Sequence, residues 1–430
     1  MKSSRYNIVY HHESYSYFFN SLSKAFFRCT RNLGIKIENI LNSDILVELL
    51  SGNEQLNQQL CNGGFVIPSS LNEIELIREL YYNAINKKHY KLVILPTLNC
   101  NFSCYYCVQN HIPSKMSEDV MALVMAHIKY MIEVEHIQSL NIEWFGGEPF
   151  MYFNEVIRPI SQYAIDLCIN AGIAFYNSAT TNASLISEHV AKELSKLKFE
   201  SFQITLDGDK ELHNAIKFAP NIQSAFDTTL RNIVSILSEN TAIKVVLRIN
   251  YTTATLKSDI VNQVCSIIPK DVRHRITVTL KKVWQEAVVE SRFEDYLRVL
   301  DDFKVNGFNI VRMDIVRDFM PCYVNKKYYD CINFNGGVLK CTNCDMLYSV
   351  NPPGKIIPGH GIEWSDDFDI KNQQPSFENE RCLKCKILPM CMGHCPKNFI
   401  DGDISICKLA GVDFNLKKAV IAYIDDYYTS

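Results

Sequence analysis

Between residues 90 and 307 the chain alternates strand-like and helix-like stretches with a regularity that few folds accommodate. The runs KLVILPTL, SLNIEWFG, AFYNSATT, SFQITLDG, IKVVLRINY and RITVTLKKVW are short and largely apolar, with many β-branched residues. That is the composition of strands covered on both faces. Helical patterns follow them, among them SEDVMALVMAHIKYMIEV, SEHVAKELSKLK and RFEDYLRVLDDFKVNG. Six such units in succession predict an α/β fold with a parallel sheet, which right-handed crossovers would curl into an open or closed barrel, a partial (β/α)6 barrel. Chemistry in such barrels sits where the strands end.

The flanks read differently. Residues 1–89 predict a smaller α+β domain: RYNIVYHH, SYSYFFN and KAFFRCT read as a strand meander, and GGFVIP as another short strand. Two helical stretches lie in the same region, DILVELLSGNEQLNQQLCNGG and SLNEIELIRELYYNAINKKHY. The second opens on Ser70 with Glu73 three residues on, a capping-box pattern. Residues 308–430 form a third, cysteine-rich region: NFNGGVLKC predicts a hairpin around Asn335, Gly336 and Gly337, NPPGKIIPGHG a loop, and NLKKAVIAYIDDYY a closing helix.

A formal charge of −3 supplies no basic field, so nucleic acid is not expected as a partner. The N-terminal stretch lacks an apolar core with a cleavage site, and no apolar run reaches bilayer length; no membrane partner and a cytoplasmic location are expected. Sixteen cysteines are then the anomaly, because thiols in that compartment stay reduced and a disulfide framework is not expected. Cys29, Cys61, Cys168 and Cys265 are scattered and read as packing residues. The others crowd into two places.

The first is TLNCNFSCYYCVQ, directly after the first strand of the alternation, with Cys100, Cys104 and Cys107. Zinc would call for a fourth ligand, and His111 is the only close candidate. Three thiolates on one loop instead suit a [4Fe–4S] cluster with one iron left open. The spacing C-x3-C-x-aromatic-C, with Tyr106 as the aromatic, resembles the signature of radical S-adenosylmethionine (SAM) enzymes. The resemblance implies that SAM chelates the open iron and is reductively cleaved to methionine and a 5′-deoxyadenosyl radical. Further strings fall at successive strand ends in the family's order. Gly146, Gly147, Glu148 and Pro149 are similar to the GGE motif, whose backbone and glutamate meet the SAM amino group. Thr181 and Asn182 lie in TTNA, similar to the ribose-side TNG segment, with Ala183 where the family has glycine. Asp207 ends the fourth strand and Arg248 and Asn250 lie on the fifth; Arg248 is expected to bind cofactor. Lys217 stands where arginine is common. Asp207 and His213 are candidates for proton transfer, and a capped strand end explains them as well.

The second cluster resembles the SPASM domain, C-x(9–15)-G-x4-C followed by C-x2-C-x5-C-x3-C and a distant C. The resemblance implies two auxiliary clusters, three [4Fe–4S] clusters in all. One would use Cys382, Cys385, Cys391 and Cys407, the other Cys322, Cys341 and Cys395. The fourth ligand of the latter is expected to be Cys331, with Cys344 or an open iron that binds a substrate cysteine as the alternatives. A two-residue turn at Asn335-Gly336 would set Cys331 against Lys340; a three-residue turn through Gly337 would set it opposite Cys341.

Many enzymes with this pair of modules modify ribosomally made peptides, and the first ninety residues resemble the winged-helix module that binds a leader peptide as an added strand. The expected activity is a peptide maturase that abstracts hydrogen from a precursor peptide and installs a thioether or carbon–carbon crosslink. Its electrons would come from a reductase, flavodoxin or ferredoxin-type donor. Rival readings are an anaerobic sulfatase maturase, oxidising Cys or Ser to formylglycine, and a non-catalytic binding or electron-relay partner.

Overall fold

A computed structural model describes residues 1–43, 53–107, 109–252, 255–256, 259–283, 293–311, 321–342, 345–349, 351–365, 377, 379–393 and 416–429. The chain divides into two compact units. One is terminal (Met1–Lys87, Arg312–Lys327 and Ile370–Ser430), and the other central (Lys88–Val311 and Tyr328–Asp369).

The first part of the terminal unit comprises β1 (Lys2–Ser3), β2 (Asn7–His12), β3 (Tyr15–Asn20), β4 (Phe26–Thr30), α1 (Arg31–Leu41), α2 (Glu54–Asn62), β5 (Val66–Ile67) and α3 (Glu73–Ile85). Strands β2, β3 and β4 form an antiparallel meander, and β1 pairs with β5. Helix α1 escapes a pattern reading because Gly34 interrupts it. A Cβ at Gly34 would lie 2.1 Å from the Ser16 side chain, so glycine is what lets α1 lie against β3. The capping-box reading of α3 is corrected: Asn72 caps it, accepting from Ile74 N at 3.1 Å, while Glu73 accepts from Ser4 Oγ at 2.5 Å and Arg5 N at 3.0 Å. Residues 44–52 of the first helical stretch lie outside the described residues.

The central unit carries β6 (His89–Ile94), α4 (Glu118–Glu133), β7 (Ser139–Trp144), α5 (Arg158–Ala171), β8 (Ala174–Thr181), α6 (Glu188–Lys196), β9 (Phe199–Asp207), α7 (Lys210–Ile216), α8 (Ala225–Glu239), β10 (Lys244–Tyr251), α9 (Asp259–Ile267), β11 (Ile276–Lys282), α10 (Phe293–Val305) and β12 (Asn309–Ile310). Strands β6 to β12 lie side by side in chain order, all parallel. Side-chain caps start the helices where the sequence offers them: Ser117, Ser187, Asp209 and Ser224 each accept a backbone N–H from the first turn. The core between sheet and helices is apolar and aromatic-rich, with Trp144, Phe199, Phe202 and Phe226 almost fully buried. Each such side chain contributes roughly 1.5–3 kcal/mol by leaving water.

The sheet then continues with β13 (Tyr329–Ile332), parallel to β6, and with β14 (Gly337–Leu339), β15 (Gly354–Ile357) and β16 (Gly361–Trp364), each antiparallel to the strand before it. The result is a mixed sheet of eleven strands among the described residues. Part of the stretch expected to be loop, 351–361, is therefore strand. The hairpin also takes a register that neither considered turn produces. Its loop is Phe334–Gly336, Asn333 N donates to Gly337 O at 2.9 Å, and Cys331 faces Leu339.

The terminal unit is completed by α11 (Glu380–Lys384), α12 (Leu388–Cys391) and α13 (Leu416–Thr429), the last matching the expected closing helix. Alternation along β3 and β4 sorts their faces. Phe18 and Phe27 stack on each other within the apolar cluster of Ile37, Leu41 and Phe65. On the opposite face Phe26 meets Tyr423 and Tyr427 of α13 edge-on, at 5.3 and 5.0 Å. Asp425 of α13 accepts from Tyr17 Oη at 3.0 Å and pairs with Arg28 at 2.5 Å. Cys29 and Cys61 pack beside this core, and Cys168 and Cys265 in or against the central one. Among the described residues no helix is long and apolar enough to cross a membrane.

Candidate active site

The cysteine loop leaves the end of β6 and is gripped from β7 by backbone alone. Gly147 N donates to Thr97 O at 3.1 Å and Glu148 N to Asn99 O at 2.9 Å. A Cβ on Gly146 would lie 2.2 Å from Thr97 O, and one on Gly147 would lie 1.9 Å from Asn99 O. Gly146 also has φ +122°, a conformation side chains resist. The glycine pair thus permits two backbones to touch, and the first contact it makes is with the cysteine loop itself.

Glu148 is fully buried, and its carboxylate accepts from Thr181 Oγ1 at 2.7 Å, Asn182 N at 2.8 Å and Phe150 N at 3.0 Å. It joins the ends of β7 and β8, and Pro149 opens the short helical turn that Glu148 caps. Burial raises its pKa, against the lowering effect of those hydrogen bonds. The end of β8 is tied back to the loop: Asn182 Nδ2 donates to Asn101 Oδ1 at 2.9 Å, and Asn101 Nδ2 to Ser184 Oγ at 2.9 Å. Ala183 sits at φ +59°, where glycine would be unstrained. The position is held from α8, where Thr229 Oγ1 donates to Asn182 O at 3.0 Å and Asn232 Nδ2 to Ala183 O at 2.8 Å. Asn101 was not singled out in the sequence; an amide inside a cysteine loop was its only signal.

Hydrogen-bond donors point at the loop's sulfurs. Cys100 Sγ accepts from Phe102 N at 3.5 Å and Asn182 Nδ2 at 3.8 Å. Cys107 Sγ accepts from Gln109 N at 3.4 Å and lies 3.2 Å from His111 Nε2. Burial, followed by the charge of Glu148, pushes the Cys100 thiol up to about 12; burial also takes Cys104 to about 11, against the lowering effect of Lys217. Bare thiolates are therefore disfavoured here. Sulfurs that are met by N–H groups yet lack enough positive charge suit a cluster whose iron supplies that charge.

The far side of the site centres on Asp207. Its Oδ1 accepts from Tyr106 Oη and from Asn250 Nδ2, the latter at 3.0 Å; its Oδ2 lies 3.0 Å from Lys217 Nζ. Lys217 Nζ also donates to Thr205 O and Oγ1, at 3.0 and 2.8 Å. Burial alone would raise the Asp207 carboxyl, but Lys217 and the hydrogen-bond donors hold it below the ordinary carboxylate range. His213 Nδ1 accepts from Asp207 N at 3.0 Å, which makes it the cap of a strand end, and burial with Lys217 pushes it down to about 3. Arg248 Nε donates to Asn250 Oδ1 at 3.0 Å. Tyr105, Tyr106, Asp207 and Asn250 line a small open cleft with Leu212 and Tyr251.

The remaining expected ligands are spread over both units. Cys331 is fully buried beside Val93, Leu95, Leu98 and Leu339, and Cys341 follows β14 in the same unit. Cys322 belongs to the terminal unit, where Cys382 lies on α11 with its N–H on the Asn379 cap, Cys385 follows it and Cys391 ends α12. Cys344, Cys395 and Cys407 lie outside the described residues. Among the described residues no three His, Cys, Asp or Glu side chains converge on a single metal ion's position.

Residues 94–236, from the end of β6 into α8, match the Radical SAM superfamily. They are a radical SAM domain, and the chain is similar to peptide-modifying and sulfatase-maturating radical SAM enzymes. It is 22% identical over 381 residues to the radical SAM cyclopropyl synthase TigE of Paramaledivibacter caminithermalis, covering 77% of this chain and 74% of that one. It is 26% identical over 157 residues to a cysteine-type anaerobic sulfatase-maturating enzyme of Clostridium novyi, 34% of this chain and 40% of the relative. Its fold is similar to that of native anSMEcpe solved with bound AdoMet and Cp18Cys peptide, with a TM-score of 0.52 at 18% identity over 79% of this chain and 97% of the other. A radical SAM domain implies a [4Fe–4S] cluster and SAM.

Proposed function

We propose that the chain is a radical SAM peptide maturase that abstracts hydrogen from a ribosomally made precursor peptide and installs a thioether or carbon–carbon crosslink. The observation that carries this reading is the three-thiol loop at the end of the first central strand, pressed against Gly146 and Gly147 and met by N–H donors. Cys100, Cys104 and Cys107 would hold the cluster, which with SAM supplies a 5′-deoxyadenosyl radical when bound. The chain's own residues shape the site around it. Glu148 locks the ends of β7 and β8 together, Asn182 and Asn101 fix the loop's first half, and Arg248 and the cleft beside Tyr106 offer polar and aromatic surface to cofactor and substrate.

In the C-terminal region, read as a SPASM domain, Cys382, Cys385, Cys391 and Cys407 are assigned to one auxiliary cluster, and Cys322, Cys341 and Cys395 to a second. The fourth position is assigned to Cys331, buried beside Leu95 and Leu339, with Cys344 or an open iron as the alternatives. The winged-helix-like first ninety residues are assigned to leader recognition, and a reductase, flavodoxin or ferredoxin-type protein to electron supply. The relationship to a sulfatase-maturating enzyme supports a second reading, oxidation of Cys or Ser to formylglycine. A crosslink and a formylglycine differ in product mass and in their need for a leader.

The test is iron and sulfide content after anaerobic reconstitution, beside 5′-deoxyadenosine release on reduction with SAM. Three clusters predict about 12 iron per chain, and about 8 in a Cys100/Cys104/Cys107→Ala variant that releases no 5′-deoxyadenosine. Equal iron in both proteins, or zinc in place of iron, sinks the assignment.

A further inference from the structure

The cysteine loop is anchored at two ends by different means. Its first half is held by backbone pairing to Gly147 and Glu148 and by Asn101. Its second half, with Cys104 and Cys107, is tied to the sheet by the Tyr106 side chain, whose hydroxyl donates to Asp207 and accepts from Asn250 Nδ2 at 3.2 Å. Asp207 is about 1% exposed: its Oδ1 takes the hydrogen bonds from Tyr106 and Asn250, and its Oδ2 is buried with the Lys217 ammonium 3.0 Å away as an ion partner and no hydrogen bond. A general base needs an oxygen that can reach the proton it takes; this carboxylate is enclosed, with Oδ1 under two donors and Oδ2 buried against Lys217.

We propose that Asp207 is a positioning residue: held by Lys217, it fixes Tyr106 against the ends of β9 and β10 and so sets where Cys104 and Cys107 stand relative to Cys100. The inference rests on the reading that these three thiols hold the cluster. Lys217 serves it by occupying one carboxylate oxygen, which leaves the other to accept from the loop's tyrosine. Asn250 completes the device by bridging Tyr106, Asp207 and Arg248, the residue expected to contact cofactor. A loop displaced by a fraction of an ångström still binds iron, but it presents the open position wrongly to SAM.

The experiment uses the full-length reconstituted protein and S-adenosylmethionine itself as probe. Tyr106→Phe deletes only the hydroxyl. It is expected to keep the parent's iron content and to unfold within about 2 °C of it, while the SAM dissociation constant rises about ten- to a hundredfold, the scale of a small misplacement. The change that SAM makes to the reduced protein's EPR spectrum, read against the auxiliary-cluster signals left in the Cys100/Cys104/Cys107→Ala variant, should be weaker than in the parent. Asp207→Asn combined with Lys217→Met should reproduce both changes; if that pair fails to fold, Tyr106→Phe alone decides. Unchanged SAM affinity with an unaltered SAM-induced EPR change in Tyr106→Phe overturns the positioning role. The Cys100/Cys104/Cys107→Ala variant separates the other failure: if it holds as much iron as the parent, the reading of the site has failed, and the inference falls with it.

Discussion

The central unit contains two buried aspartate–lysine pairs built from the same parts and put to different use. Asp207 and Lys217 lie 3.0 Å apart with the Tyr106 hydroxyl on the carboxylate and His213 alongside. Asp330 and Lys340 also lie 3.0 Å apart, with the Tyr90 hydroxyl donating to the carboxylate at 2.9 Å and His127 Nε2 2.7 Å from that hydroxyl. The tyrosine tells them apart. Tyr90 belongs to β6 and its set is sealed in the sheet, joining β13 to the first parallel strand. Tyr106 belongs to a loop beside an open cleft. Buried ion pairs do not by themselves argue for stability, since desolvation offsets their attraction. What each pair adds is a fixed position for what it grips: a hairpin in one case, a cysteine loop in the other.

Removing one partner should separate the two most sharply. Lys340→Met leaves Asp330 charged and enclosed, and should cost about 3–5 kcal/mol in denaturant unfolding. Lys217→Met should cost less, about 2–3 kcal/mol, because Asp207 keeps Tyr106 and Asn250 as donors. Equal losses would show that the cleft makes no difference. Replacing both partners, Asp330→Leu with Lys340→Met, should recover most of the loss, since an apolar pair of similar volume is commonly neutral there.

Acid offers the next contrast. His213 is held down to about 3 by burial first and Lys217 second, so the folded protein keeps it neutral where the unfolded chain protonates it. Its contribution is complete above the ordinary histidine pKa of about 6.5 and is lost as pH falls from there toward 3, with a slope of about 1.4 kcal/mol per pH unit. His127 is also depressed, by burial, and works in the same direction. His213→Asn should flatten the measured pH dependence of unfolding, and an unchanged slope would count against this origin. The smallest effect belongs to the tyrosines. Tyr90→Phe strands two buried partners and should cost about 1–3 kcal/mol, whereas Tyr106→Phe should cost about 1 kcal/mol or less in unfolding.

The parallel strands β6 to β11 were legible because burial on both faces leaves an apolar run that turn signals bound. The cysteine loop was legible because its chemistry depends on near neighbours in the chain. Longer-range partners were not. Short strands β15 and β16 are hidden by Pro352, Pro353, Gly354, Gly359 and Gly361, residues that mark turns unless a neighbouring strand recruits them. The hairpin at Asn333–Gly337 turned on a one-residue choice of register, which its glycines allow in several ways. Lys217 stood out only as a departure from the family pattern, and that it meets Asp207 depends on where α7 ends. Ser70 was a plausible cap, but Asn72 is nearer the first turn and Glu73 is drawn away to Ser4 and Arg5.

One unit is assembled from both chain ends. Tyr17 and Arg28, made before the central sheet, wait for Asp425 and the tyrosines of α13, made after it. The strands of the meander therefore leave the ribosome with Phe26 uncovered and keep it so while the central sheet is synthesised. A segment made before the central sheet thus finishes folding only after it, and a chain that stalls short of residue 416 exposes that aromatic face to whatever chaperone or protease reaches it first.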